Sequence, residues 1–126
     1  MNVIDSSAWL EYVANGPGAA YFAKAVEDVP KLVVPSVVVY EVFKRILQQR
    51  SETEALQVIA VMRQGHIVDL DMAIAMRAAT LSIQHRLPMA DAVILATTLA
   101  CEGTLWTQDA DFENIPGVRY HPRETP

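Results

Sequence analysis

Five carboxylates and no lysine or arginine occupy the stretch from Leu87 to Val118: Asp91, Glu102, Asp109, Asp111 and Glu113. Elsewhere the charges nearly cancel, so the net charge of −5 belongs to this window. Asp91 is the hardest of the five to read as plain surface charge. It stands alone between Arg86 and Glu102, in Pro88-Met89-Ala90-Asp91-Ala92-Val93-Ile94-Leu95-Ala96, a helical segment apolar nearly all round. An acid in a first helical turn gains about 0.3–1 kcal/mol from the helix dipole. Burying a carboxylate costs several kcal/mol unless a cation or a metal ion pairs with it. Asp109 and Asp111 lie in Trp106-Thr107-Gln108-Asp109-Ala110-Asp111-Phe112; turns favour Asp, yet no cation lies nearby in sequence. Two earlier acids join this set. Asp5 directly follows the apolar Val3-Ile4, where Asp also suits a helix N-cap. Glu41 shares a polar helix face with Lys44, Arg45 and Gln48, where an i,i+4 pair with Arg45 would account for it at a few tenths of a kcal/mol.

If Asp5, Glu41, Asp91 and Asp109 converge, something cationic must sit among them. Two unit charges 4 Å apart cost about 4 kcal/mol at an effective dielectric of 20. A hard divalent cation answers that need, and carboxylate oxygens with open water positions suit Mg²⁺ or Mn²⁺. Such centres act mostly on phosphates. Other chemistries fit less well. The five glycines form no phosphate-binding loop, and no G-x-S-x-G elbow occurs. His66, His85 and His121 have no ligand spacing. Asp69 and Asp71 form a D-x-D, but Asp71 reads as a helix cap; Trp9 and Trp106 belong to apolar segments and read as core. The single cysteine, Cys101, excludes an intrachain disulfide and a Cys-based zinc site, which points to a reducing, cytoplasmic home.

The elements that must position these acids follow from apolar runs and breakers. Val3-Ile4, Leu32-Val33-Val34, Ile67-Val68, Thr104 to Thr107 and Val118 to Tyr120 read as strands. Helices are expected over Ser6–Val13, Ala19–Val29, Ser36 to about Arg50 with Ser36 as N-cap, and a fourth from the capping box at Ser51 to about Gln64. A fifth is capped by Asp71 and runs to about Arg86; a sixth has Pro88 in its first turn and runs to Glu102, stopped by Gly103. Strands alternating with helices predict an α/β fold, a mostly parallel sheet of about five strands with helices on both faces. At 126 residues this is one domain, with a radius of gyration of about 14 Å. No stretch fits a membrane span, and the first residues carry no basic leader, so no membrane association or signal peptide is expected. In parallel sheets ligands bind beyond the carboxyl ends of the strands, and Asp5 and Asp109 fall there.

Four segments together resemble the PIN-domain nucleases: Val3-Ile4-Asp5-Ser6-Ser7, Pro35 through Val42 with Glu41, Leu87 through Thr97 with Asp91, and Leu105 through Phe112 with Asp109. The likeness runs over nearly the whole chain in order and spacing, and size places it nearest the VapC-type toxins of toxin–antitoxin pairs. The resemblance implies a single PIN-like domain over residues 1–126 and a Mg²⁺- or Mn²⁺-dependent endoribonuclease. Asp5, Glu41, Asp91 and Asp109 would be its catalytic acids and metal ligands. Ser6 would orient Asp5 or hold a metal-bound water, and Asp111 would assist the metal. Gln108 stands where the family frequently has Arg. Lys44 and Arg45 are candidates for steering the RNA backbone. A small antitoxin is the implied partner. The apolar Val37, Val38, Val58, Ile59, Val61 and Met62 suggest an interaction surface for it or for a homodimer. The alternatives are a Mg²⁺-dependent DNA nuclease or phosphatase, and a binding module with a relic site; a lone acid after the first strand speaks against the phosphatase.

Overall fold

The structure is a computed structural model that describes residues 1–124. Its strands are β1 (Asn2–Ile4), β2 (Leu32–Pro35), β3 (His66–Val68), β4 (Thr104–Thr107) and β5 (Val118–Tyr120). They form one sheet in the order β3-β2-β1-β4-β5, and every neighbouring pair is parallel. The helices are α1 (Ser6–Val13), α2 (Ala19–Val26), α3 (Ser36–Gln49), α4 (Glu52–Met62), α5 (Met72–His85) and α6 (Met89–Ala100), with 3₁₀ turns at Val29–Lys31 and Ala110–Phe112. The α/β architecture predicted from the alternation is therefore the observed one.

The strand order has a consequence for function. The chain builds outward from β1 through β2 to β3, then returns to the other side of β1 with β4 and β5. Between β1 and β4 the direction of winding reverses. Connections on the two sides leave for opposite faces there, which opens a crevice beyond the carboxyl ends of the two strands. The register sets Ile4 beside Trp106, so Asp5 and Thr107 emerge side by side at the crevice, and the Asp5 amide donates to the Trp106 carbonyl at 2.9 Å.

Packing explains why the strands are so short and still hold. Val3, Ile4, Val33, Val34 and Leu105 are each at most 1 % exposed, between helices on both faces. Helix α6 is buried from Ala92 to Thr98. Its two threonines carry their hydroxyls into this core by donating to the Val93 and Ile94 carbonyls, both at 2.8 Å, so no polar atom is stranded. Arg86 adopts a left-handed conformation (φ 56°) that ends α5, and Pro88 takes the N-cap position of α6, which brings Asp91 into its first turn.

Several boundaries differ from expectation for local reasons. Pro35, not Ser36, holds the cap position of α3; the Ser36 hydroxyl accepts from the Leu70 amide at 3.3 Å and ties α3 to the loop after β3. The second helix ends at Val26, because the chain tightens into the 3₁₀ turn around Pro30. Half of the capping box forms: the Ser51 hydroxyl accepts from the Glu54 amide at 3.1 Å, while the Glu54 carboxylate pairs with Arg50. Asp71 caps α5 as read, accepting from the Ile74 amide at 2.8 Å. Helix α6 ends at Ala100, with Glu102 in the left-handed conformation, and a side chain at Gly103 would meet the Met1 carbonyl at 2.9 Å. The proposed apolar surface is mostly core: Val38 and Met62 are fully buried and Val58 nearly so. Val61 stays exposed, with Tyr40, Leu47 and Leu56 on the same two helices, and further apolar exposure lies on α5 and at the start of α6, at Met72, Met76, Ile83 and Met89.

Candidate active site

Asp5 sits at the N-cap of α1, but its side chain makes no capping bond. One carboxylate oxygen, Oδ2, accepts from the Ser7 hydroxyl at 2.7 Å and from the Thr107 hydroxyl at 2.8 Å. Each hydroxyl has one proton, and both are committed here. Their oxygens then accept from the next strand's turn: Ser7 from the Gln108 amide at 3.3 Å, Thr107 from the Asp109 amide at 2.9 Å. The β1 and β4 ends are thereby locked around one carboxylate. The second oxygen, Oδ1, is buried and has no partner among the described residues. Burial holds the Asp5 pKa above the ordinary value; the two hydroxyls oppose this, and the Asp109 charge adds to it.

The hydroxyl on Asp5 is therefore supplied by Ser7, not by Ser6 as expected. The Glu41 pKa is raised by burial and by the Asp5 and Asp109 charges, and the Ser6 hydroxyl opposes this. Glu41 projects from α3 toward the cluster. It makes no ion pair with Arg45, and its Oε1 is buried without a partner among the described residues. The i,i+4 explanation of Glu41 thus fails. Lys44 and Arg45 lie on the same helix face, beside Ser6 and Glu41 in a concavity of about 330 Å³. The Lys44 ammonium rests against Tyr40, 3.3 Å from its hydroxyl.

Asp91 enters from α6. Its pKa is pushed up to about 7, first by burial and then by the charges of Asp5, Asp109, Glu41 and Asp111. Asp5, Glu41, Asp109 and Asp111 are thus each close enough to Asp91 to repel it. One carboxylate oxygen each from Asp91, Asp109 and Asp111 lies within 4.8 Å of the others, a spacing compatible with a shared metal ion. Both acids of the fourth segment reach the cluster, so neither Asp109 nor Asp111 is singled out. Asp109 also caps the 3₁₀ turn that follows it, accepting from the Asp111 amide at 2.9 Å. The two orphaned buried oxygens, on Asp5 and Glu41, and the all-oxygen donor set fit a hard divalent cation. Ser7 and Thr107 were not singled out from sequence. The available signal was a hydroxyl residue two positions after Asp5 and another at the last position of a strand, each of which can reach a neighbouring carboxylate.

The PIN-domain family model matches residues 3–118. This chain belongs to the PIN-domain family. As a PIN domain it has close structural likenesses at low identity. A toxin–antitoxin complex from Klebsiella pneumoniae superposes with a TM-score of 0.81 at 24 % identity, covering 99 % of this chain and 100 % of that one. VapC20 of Mycobacterium tuberculosis, described as a sarcin–ricin loop cleaving toxin, gives 0.77 at 15 % identity over 94 % of this chain and 97 % of that one. VapBC2 of Rickettsia felis, bound to a DNA fragment from its promoter, gives 0.71 at 16 % identity over 96 % and 97 %. No curated protein matches this PIN domain. Among its described residues no helix is long and apolar enough to cross a membrane.

Proposed function

We propose that this PIN domain is a Mg²⁺- or Mn²⁺-dependent endoribonuclease and the toxin of a toxin–antitoxin pair. The observation that carries the reading is the convergence of Asp5, Glu41, Asp91, Asp109 and Asp111 at the β1–β4 crevice with no ion-paired lysine or arginine among them. Asp91, Asp109 and Asp111 would hold the metal, and Asp5 and Glu41, each with a buried unpartnered oxygen, would support it. A bound divalent ion supplies a water of lowered pKa and neutralises charge on a phosphate under attack. The chain's own part is positioning. Ser7 and Thr107 fix the Asp5 carboxylate so that only Oδ1 is free, and the Thr107 hydroxyl fixes the main chain at Asp109. Burial and mutual repulsion keep the acids hungry for a cation. Lys44 and Arg45, on the α3 face beside Glu41, would draw in the RNA backbone.

A small antitoxin is the proposed protein partner, supported by structural likeness to the Klebsiella pneumoniae toxin–antitoxin complex. A homodimer through the exposed apolar residues of α5, and a cytoplasmic location, complete the reading. The test is cleavage of total RNA with Mg²⁺ or Mn²⁺, with chelator, and with Asp5→Ala. Cleavage that needs metal and falls at least about a hundredfold in the folded variant is expected. Undiminished cleavage by Asp5→Ala would refute the site, and cleavage of DNA but not RNA would refute the substrate.

A further inference from the structure

A concavity of about 430 Å³ does not contain the acids but opens beside them. Its lining includes Ser6, Ser7 and Gln108, the cations Arg45, Arg50 and Arg123, and the acids Glu11 and Glu54. Arg50 is engaged by Glu54; Arg45 and Arg123 have no ion pair among the described residues. A groove that opens beside a phosphate-cleaving site and carries unpaired guanidinium groups suits a nucleic-acid strand leaving that site.

Gln108 is part of its lining. The residue is 7 % exposed, and its amide oxygen is buried with no hydrogen-bond partner among the described residues. Its amide nitrogen makes only a long contact, 3.5 Å to the Ser7 carbonyl. Its main chain is fixed by the Ser7 hydroxyl, which also holds Asp5, and the next residue is Asp109. So an acceptor short of a donor belongs to a residue that lines the groove and directly precedes Asp109. Buried polar groups are nearly always satisfied, and an unsatisfied one beside a binding groove marks where a ligand's donor belongs. The donor must sit close to the scissile phosphate, since Gln108 is one residue from Asp109. On an RNA strand the nearest donor to a backbone phosphate is the ribose 2′-hydroxyl; a base edge lies farther out.

Resting on the ribonuclease reading, we propose that Gln108 distinguishes RNA from DNA by accepting a hydrogen bond from the 2′-hydroxyl of the ribose beside the scissile phosphate. Arg45 and Arg123 carry the same strand along the groove.

The test pairs a protein change with a substrate change. Wild type and Gln108→Leu cleave an RNA oligonucleotide with Mg²⁺, and variants of it with a single 2′-deoxy nucleotide on either side of the cut. In the wild type, one deoxy position should slow cleavage about tenfold. Gln108→Leu should lose a similar factor on the all-RNA strand and show no further loss at that position. Gln108→Leu removes an acceptor that already lacks a partner, so the variant should fold as well as the wild type by thermal melting. Equal sensitivity to the deoxy substitution in both proteins would overturn the proposal. Binding of fluorescent RNA and DNA strands with Ca²⁺ in place of Mg²⁺ separates the two levels of reading. RNA preference in the wild type that disappears in Gln108→Leu supports the role of Gln108 even if no cleavage is detected. Absent preference in the wild type overturns it even if RNA is cut.

Discussion

Replacing Asp91 with Asn should make the metal-free protein more stable at neutral and higher pH. Asp91 has an ordinary value of 3.8 and is pushed up to about 7 in the fold by burial and by the neighbouring acids. The sign follows from linkage. Between about pH 4 and pH 7 the folded protein keeps a proton on this carboxyl that the unfolded chain has lost. Stability therefore falls as pH rises through that window, and above it the ionised carboxylate remains a full burden. The interval corresponds to about 4 kcal/mol if none is lost to solvent. An independent check is the spacing: carboxylate oxygens 4.8 Å apart repel by about 3–4 kcal/mol at an effective dielectric of 20. Asp91 is only partly buried, and water and salt screen it. We expect about 1–2 kcal/mol of stabilisation in Asp91→Asn at pH 8, shrinking toward zero near pH 4. Urea unfolding in EDTA at pH 4, 6 and 8 measures this, provided the slope with denaturant is unchanged. Adding Mn²⁺ should reverse the order, since wild type gains by mass action and the variant gains less. A variant no more stable than wild type at pH 8, with a parallel pH profile, would show that the acids do not crowd Asp91.

Two further outcomes follow from the same geometry. Metal should bind more weakly as pH falls below about 7, because Asp91 must release its proton to ligate; isothermal titration with Mn²⁺ at pH 6 and pH 8 should show several-fold weaker binding and more proton release at the lower pH. Thr107→Val removes one of two donors to Asp5 and the acceptor of the Asp109 amide, so it should cost about 1–2 kcal/mol in stability and raise the pH needed for activity, read from a pH–rate profile against Ser7→Ala.

Asp91 stood out in the sequence because a charge in an apolar helix lacks a bland explanation, whereas Asp5 and Glu41 had one each, a helix cap and an ion pair, and joined the set through the resemblance. The parallel sheet was legible from the alternation of β-branched runs with helical spacing, and so were the Ser51 and Asp71 caps. What the sequence could not supply was which hydroxyl serves which acid. Ser6 and Ser7 are adjacent and chemically alike, and only the turn from β1 into α1 decides that Ser7 donates to Asp5. Thr107 was hidden for a similar reason: its partner Asp5 lies just past the end of β1, brought beside it by strand register and not by sequence. On α3 and α4, Val38, Val58 and Met62 belong to the core while Val61 is exposed, a division set by tertiary packing that single-helix periodicity does not reveal.

The pairing of β1 with β4 joins segments far apart in the chain: the Thr107 hydroxyl that holds Asp5 comes from 102 residues away. Closing so long a loop is entropically slow to repay, so this pairing should form late in folding, after the local helix pairs. A chain that has collapsed but not yet seated β4 would have its helices and no centre. Any ion gripped jointly by the β1 and β4 ends would act as a clasp across that loop, and would hold shut the step on which the site depends. A domain organised this way gains its reactive centre only in its last folding step, and loses it in the first step of coming apart.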